Sequence, residues 1–413
     1  MTNPDEANNG RAYETASRGA PLEVFLAFLK LGLVSFGGPI AHLGYFRDEL
    51  VVRRKWVNEQ GYAELVALCQ FLPGPASSQV GFALGLMRAG PWGAAAAWLA
   101  FTMPSALLLI AFASLAGQLG GPVGQGVIHG LKLVAVAVVA QAIWGMAKNL
   151  TPDRPRTAIA LIAMLIAVLA PTAIGQILAI MFGAIAGLWL CRTGTAQEPV
   201  PPSFNISKKA GLVCLMLFFS LLFGLPLLKG LAGWQPLSLI DAFYRSGALV
   251  FGGGHVVLPL LENEVVKNGW VSADNFLAGY GATQAVPGPL FAFASYLGFT
   301  MIQEPNGLLG AMICLVVIFV PGFLLLVGAI PFWNDLRHQP WAKAGLQGTN
   351  ASVVGILAAA FYNPVWVSAI LAPIDFAIVA IGFTALTMWK APPWLVVVGL
   401  TGTGLMSQIV LGA

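Results

Sequence analysis

Lys30 and Arg245 are basic residues set inside apolar runs. A cation at the centre of a bilayer costs ~2.5–3.5 kcal/mol even on permissive insertion scales, so each needs a partner, a cavity or a route to the interface. An anion would be such a partner. Both belong to a motif that the chain carries twice: Phe28-Leu29-Lys30-Leu31-Gly32-Leu33-Val34-Ser35-Phe36-Gly37-Gly38 recurs as Phe243-Tyr244-Arg245-Ser246-Gly247-Ala248-Leu249-Val250-Phe251-Gly252-Gly253. Gln70-Phe71-Leu72-Pro73-Gly74-Pro75 likewise recurs as Gln284-Ala285-Val286-Pro287-Gly288-Pro289. The offsets are 215 and 214 residues, so about half the chain is duplicated with little drift in spacing.

The parts that recur are the ones that break helices in a bilayer and bind ions there. Each cation precedes its glycine pair by seven or eight residues, about two helical turns, so each helix can direct it along a wall that ends at the break. Glycine breaks expose main-chain N–H groups that can form an anion-binding concavity, and a half-helix starting after Pro-Gly-Pro points its positive end at the same space. Gln70 and Gln284 add amide donors, and His255 follows a run of three glycines. A tetrahedral dianion could be held by two cations and two sets of main-chain donors without any catalyst. Each part also has a plainer use. The cations can snorkel, the glycines can serve close helix packing as in Gly81-x-x-x-Gly85 and Gly183-x-x-x-Gly187, the Pro-Gly-Pro turns can be simple loops, and the glutamines can bond across helices. Recurrence in both halves favours the binding set Lys30, Gly37, Gly38, Gln70, Pro73, Gly74, Pro75, Arg245, Gly252, Gly253, Gln284, Pro287, Gly288 and Pro289, and His255 joins it as the residue that follows the three-glycine run.

These residues must be positioned by membrane segments. Charged residues are 9% of the chain against roughly 25% in a soluble domain, and hydrophobic residues are 58%. The chain reads as an all-α polytopic membrane protein of two homologous repeats, in a lipid bilayer. Residues 1–20 form a polar tail without signal-peptide character, 21–192 the first repeat, 193–236 a linker with an extra apolar helix near 210–230, and 237–413 the second repeat. The net charge of +4 is spread over segment ends, which excludes a nucleic-acid face. Cys69, Cys191, Cys214 and Cys314 lack metal-ligand spacing and read as packing residues; no cofactor or metal is implied.

Thirteen apolar segments follow, six per repeat and one extra. The basic loops at Arg47–Lys55 and Lys148–Arg156 should share the cytoplasmic side, yet three apolar segments separate them. One must turn back, and 62–89, broken at Pro73-Gly74-Pro75, is the best candidate for a re-entrant segment. The loop 117–126 then falls outside. In the second half the loop from Glu262 to Asp274 holds three acids and one lysine, whereas Arg337, Lys343 and Lys390 fall inside. This predicts inverted topology for the repeats. Whether 22–46 and 237–261 span or re-enter stays open, with about ten to thirteen crossings allowed.

Coupling to an ion would require a titratable or charged group near the site. Glu64, Asp241, His42 and Lys132 are candidates, with Glu23 and His255 also inside apolar runs, and none recurs at its repeat-equivalent place. Gln347 stands where the first half has Lys132. His129 and His338 read as solvated loop-end residues, and no carboxylate is seen beside either glycine break.

The paired Lys/Arg-x-Gly-x-x-x-Phe-Gly-Gly and Gln-x-x-Pro-Gly-Pro motifs, with Lys55-Trp56-Val57 and the matching Gly269-Trp270-Val271, resemble the long, two-domain form of the bacterial chromate transporter family. The resemblance covers nearly the whole chain from Leu22. It implies a multi-pass inner-membrane secondary transporter that exports chromate and confers resistance, with sulfate as an alternative substrate, a proton as a coupling ion and room for a homodimer. An enzyme would need a nucleophile with a base or a metal cluster, and no His-Glu-x-x-His, Gly-x-Ser-x-Gly or phosphate-cradling Gly-Lys-Ser run occurs. An anion channel is physically close to a transporter and remains the rival.

Overall fold

Glycine and proline dictate where the helices of this protein stop. A computed structural model describes residues 19–116, 121–191 and 206–411. The expected polar tail lies almost wholly outside them, as do 117–120 of the uncharged loop, 192 at the end of the first repeat and 193–205 of the linker. The first repeat opens with α1 (Pro21–Val34) and α2 (Gly38–Phe46), which continues into a π-helical segment Arg47–Arg53. Gly37 and Gly38 between them have φ of 99° and 80°, a region closed to most side chains, and this lets the chain reverse. The reversal is visible in the packing, because the Phe28 ring meets the Phe46 ring at 5.5 Å and Trp56 at 6.5 Å.

A second hairpin follows from α3 (Glu59–Phe71) through Pro73-Gly74-Pro75 into α4 (Ala76–Ala116). Helix α4 is two arms: Ala89 and Gly90 leave helical geometry, and Gly85 and Gly93 approach so closely that a Cβ on Gly85 would lie 2.4 Å from the Gly93 carbonyl. The first arm, 76–88, returns to the end where the chain came in, since Arg88 bonds Glu23 at 3.1 Å and its guanidinium lies 5.5 Å from the Trp56 ring. The second arm then crosses, followed by α5 (Gly121–Leu150), α6 (Arg154–Leu169) and α7 (Ala173–Leu190). Helix α8 (Lys208–Ala232) connects the repeats.

The second repeat runs through the same parts: α9 (Gln235–Ala248), the Gly252-Gly253 break, α10 (Val257–Leu261), α11 (Ala273–Thr283), Pro287-Gly288-Pro289, α12 (Phe293–Thr300), α13 (Gly307–Ala329), α14 (Pro340–Ala360), α15 (Pro373–Thr387) and α16 (Pro393–Leu411). Its second hairpin closes where Ile302 N–H donates to the Trp270 carbonyl at 3.0 Å, and Gly298 meets Gly310 as Gly85 meets Gly93. Both early segments of each repeat therefore turn back, 22–46 and 237–261 included. Six of the described helices are long and apolar enough to cross by length and composition alone.

The repeats interlock. Helix α16 packs on α5 while α7 packs on α14, so the last helix of each repeat rests on the other repeat. Both contacts use glycine: a Cβ on Gly404 would lie 2.6 Å from Gly130, and one on Gly187 2.9 Å from Gly348. Without a hydrophobic drive between helices in lipid, such close backbone approach is how dispersion holds them. Arg47, Arg53, Arg54, Lys55 and Arg88 lie at the end where the first repeat starts. Glu262, Glu264 and Asp274 lie at the end where the second starts, and there the Lys267 ammonium bonds the Pro171 carbonyl in the α6–α7 turn.

Candidate functional site

The breaks of the two repeats meet at the centre of the molecule and hold each other. Gly74 N–H donates to the Val250 carbonyl at 2.7 Å, and Gly288 N–H donates to the Ser35 carbonyl at 2.9 Å. Ser35 and Val250 are repeat-equivalent, as are Gly74 and Gly288. Each Pro-Gly-Pro turn thus binds the chain just before the other repeat's glycine pair, the reciprocal contact that a two-fold relation produces.

Beside one of these bonds lies a cavity of about 80 Å³, lined by Gly37, Gly38, Gln141, His255, Thr283, Gln284 and Gly288 among others. The α2 N-terminus opens at Gly38, at its wall. His255 is set by a hydrogen bond of 2.7 Å between its Nδ1 and the Tyr280 hydroxyl, and Thr283 Oγ1 donates to Gly279 O at 2.8 Å. The Gln284 amide donates to Tyr280 O over a long 3.5 Å, and an amide has a second hydrogen to give. The structure brings Gly37, Gly38, His255, Gln284 and Gly288 together, with Pro287 and Pro289 shaping the turn. Gly74, between Pro73 and Pro75, lies instead against Gly322 of α13, Gly252 lies against Leu150 and Asn350, Gly253 faces open space, and Gln70 is exposed on α3.

The two cations are not at this cavity. Lys30 Nζ bonds Glu49 Oε2 at 2.9 Å, while Arg245 bonds Asp241 at 2.7 Å and Glu264 at 3.3 Å. Glu49 and Glu264 each stand eleven residues after their glycine pair, so a carboxylate recurs in both halves, away from the break and outside the cavity lining. Each cation, expected to point along the wall that ends at the break, meets an acid across its hairpin. The signal that could have found this is Glu49-Leu50-Val51 against Glu264-Val265-Val266. Glu49 also accepts from Arg53 and Arg54, both at 2.8 Å. Burial alone would raise its pKa, but hydrogen bonds from Arg54, Lys30 and Arg53 outweigh that and hold it at about 2.

A chromate transporter family model matches residues 22–188 and 237–405, one match per repeat and together most of the chain. The chain belongs to the chromate transporter family. A chromate transport protein of Pseudomonas aeruginosa is 27% identical over 416 residues, covering 92% of this chain and 91% of that protein. A probable chromate transport protein of Synechococcus elongatus is 29% identical, covering 81% of each. An uncharacterised transporter of Bacillus subtilis is 34% identical over 168 residues, 38% of this chain but 80% of its own length, and so has the size of one repeat. No solved structure matches.

In this chromate transporter family member the remaining charged and titratable candidates are engaged. Glu64 bonds Arg337 at 3.3 Å and the Trp333 indole N–H at 3.4 Å, and Lys132 bonds Asp274 at 2.7 Å. The first pair ties α3 to the second repeat at the basic end; the second ties α5 to α11 at the other end. Asp241 is shared by Arg245 and Lys229, the latter at 3.5 Å, and Glu23 serves Arg88. His42, 1% exposed, has its Nδ1 3.3 Å from Ser77 Oγ. His129 corrects the sequence expectation: it is not solvated but bonded to buried Asp375 at 2.8 Å, whereas His338 is exposed. The cysteines are free thiols, Cys69, Cys191 and Cys314 buried and Cys214 partly so.

Proposed function

We propose that this protein is a secondary transporter that moves a tetrahedral oxyanion, chromate before sulfate, outward across the bacterial inner membrane. The observation that carries the proposal is the cavity at the crossing of the repeats, where Gly38 opens a helix and His255, Thr283 and Gln284 surround it. Main-chain N–H groups, an amide and a helix N-terminus replace the hydration shell of an anion without introducing a permanent opposite charge, which lets the anion leave again. The recurring cations hold the hairpins that build this site and set its potential from outside it. The names of the relatives that match most of the chain support chromate as the substrate.

The end with Arg47, Arg53, Arg54, Lys148, Arg154 and Arg156 is the cytoplasmic one under the positive-inside rule, and the acidic end is external. Alternating access then consists of rocking the interlocked repeats about the Gly74–Val250 and Gly288–Ser35 bonds. Glu64–Arg337 closes the cytoplasmic side and Lys132–Asp274 the external side; both are formed here, and release of one while the other holds opens a single side. A coupling proton is best taken by His42 or Glu64, which sit in the first repeat next to the moving parts. Expression in a chromate-sensitive bacterium tests the proposal: lower cellular chromium with better survival supports export. Higher chromium with greater sensitivity means uptake, and no change in either defeats chromate as substrate.

A further inference from the structure

Away from the central cavity, a second one of about 160 Å³ lies where the α6–α7 turn of the first repeat meets the second repeat. Pro171 and Gln176 line it from the first repeat, Glu262 and Lys267 from the hairpin after α10, and Ala359 and Tyr362 from α14 and the turn beyond it. Polar bonds tie the repeats together here. The Lys267 ammonium donates to the Pro171 carbonyl and to Asn263 Oδ1, and Gln176 Nε2 donates to the Pro259 carbonyl at 2.9 Å.

Glu262 is the one acid of this cavity, and its carboxylate makes no hydrogen bond or ion pair among the described residues although the residue is only 7% exposed. Its repeat-equivalent, Arg47, is half-exposed and pairs with Glu59 at 2.7 Å, so the buried acid is no part of the shared scaffold. A buried carboxylate charge without a partner is costly and is relieved by a cation or a proton. Lys267 stands in the same wall yet gives its ammonium to two other oxygens, one of them in the other repeat. A metal cation entering beside that ammonium would be repelled by it and would find Asn263 Oδ1 already bonded. A proton needs neither room nor further ligands.

The other charges near this hairpin have partners of their own. Arg245 of α9 holds Asp241 and Glu264, and Asp274 of α11 holds Lys132. The parts of α6, α7 and α14 that line the cavity bring no charge, and the turn beyond α14 adds only the Tyr362 phenol. Burial raises the Glu262 pKa, and Lys267, the one charge acting on it through space, lowers it by less.

We propose that this cavity is a proton site, with Glu262 as the acceptor and Lys267 as the group that responds to it. A proton taken from water leaves Glu262 neutral, and Lys267 then keeps its bonds to Pro171 and Asn263 and clamps the α6–α7 turn to the second repeat. Return of the proton to water restores the carboxylate, which draws the ammonium off the Pro171 carbonyl and frees the turn. Because the pKa is raised in the clamped form, the clamp is complete below the ordinary carboxylate range and is lost as pH rises through the raised value. The proton enters and leaves at one end of the molecule, so the site governs a contact between the repeats and carries no proton across. That this end faces outward rests on the orientation proposed above; the site does not.

Infrared spectra of the purified full-length protein test the site without chromate. The difference between wild type and Glu262→Gln should contain the C=O stretch of a protonated carboxyl, lost on raising the pH with a midpoint above the ordinary carboxylate range. A midpoint within or below that range overturns the proton site. For the clamp, a cysteine replacing Ala359 should react with a water-soluble thiol reagent severalfold faster as pH rises through the midpoint, measured against the same cysteine in Glu262→Gln. Lys267→Met should give the fast rate at every pH. The same pH dependence in Glu262→Gln as in the wild type, or a slow rate in Lys267→Met, overturns the clamp. Neither measurement involves transport, so failure of the proton site leaves the oxyanion proposal standing.

Discussion

Gly288 donates its main-chain N–H to the Ser35 carbonyl at 2.9 Å, and its repeat-equivalent Gly74 does the same to Val250 at 2.7 Å. Each glycine sits between prolines at positive φ, 103° and 122°. Gly288→Ala should cost ~1–3 kcal/mol in backbone strain and reduce transport more than tenfold, with the protein still inserted. Transport rates in vesicles normalised to protein content check this; a wild-type rate would mean that the crossing bonds do not shape the site.

The Lys30–Glu49 and Arg245–Glu264 pairs predict a split between stability and affinity. Lys30→Gln should lower thermal stability by at most about 1 kcal/mol, because the lysine is half-exposed, and Arg245→Gln should cost more because both its acids are buried. Chromate affinity should change little in either. A large loss of affinity at unchanged stability would instead make the cations direct anion ligands. Glu49, with its pKa depressed to about 2, contributes fully above the ordinary carboxylate range near ~4, and the contribution is lost as pH falls through about 2.

Much of the fold could be read from the sequence because its breaks are local. A glycine pair or Pro-Gly-Pro acts on its own few residues, so the repeat and the re-entrant segment at 62–89 could be found without a structure. The hairpin at 22–46 cannot be decided from sequence, since the run to Phe46 is long enough to span and its return shows only in contacts such as Phe28–Phe46 and Lys30–Glu49. Ion pairs were hidden for a different reason. His129 meets Asp375 and Glu64 meets Arg337 across the repeat interlock, at separations of 246 and 273 residues, where no periodicity carries a signal.

Opposite ends for the two repeats predict opposite accessibility. A cysteine placed at exposed Val52 should label from the cytoplasmic side and one at exposed Asn268 from the outside, in intact cells against inverted vesicles. Labelling of both from one side would leave a parallel duplication and end the alternating-access proposal.

The pairs at the two ends should act as opposed latches. Arg337→Gln should raise cysteine labelling on the cytoplasmic side, and Lys132→Gln should raise it on the external side, each slowing turnover severalfold. If both substitutions opened the same side, they would be structural contacts and not gates.

Chromate exchange in proteoliposomes tests the central claim most directly. Purified protein loaded with unlabelled chromate should accumulate external labelled chromate transiently, with saturation and competition by sulfate, as a carrier with one site at the crossing of its repeats must. Absence of counterflow, with a current that rises steeply with voltage, would make the protein a channel, and absence of any chromate flux would contradict the oxyanion site itself.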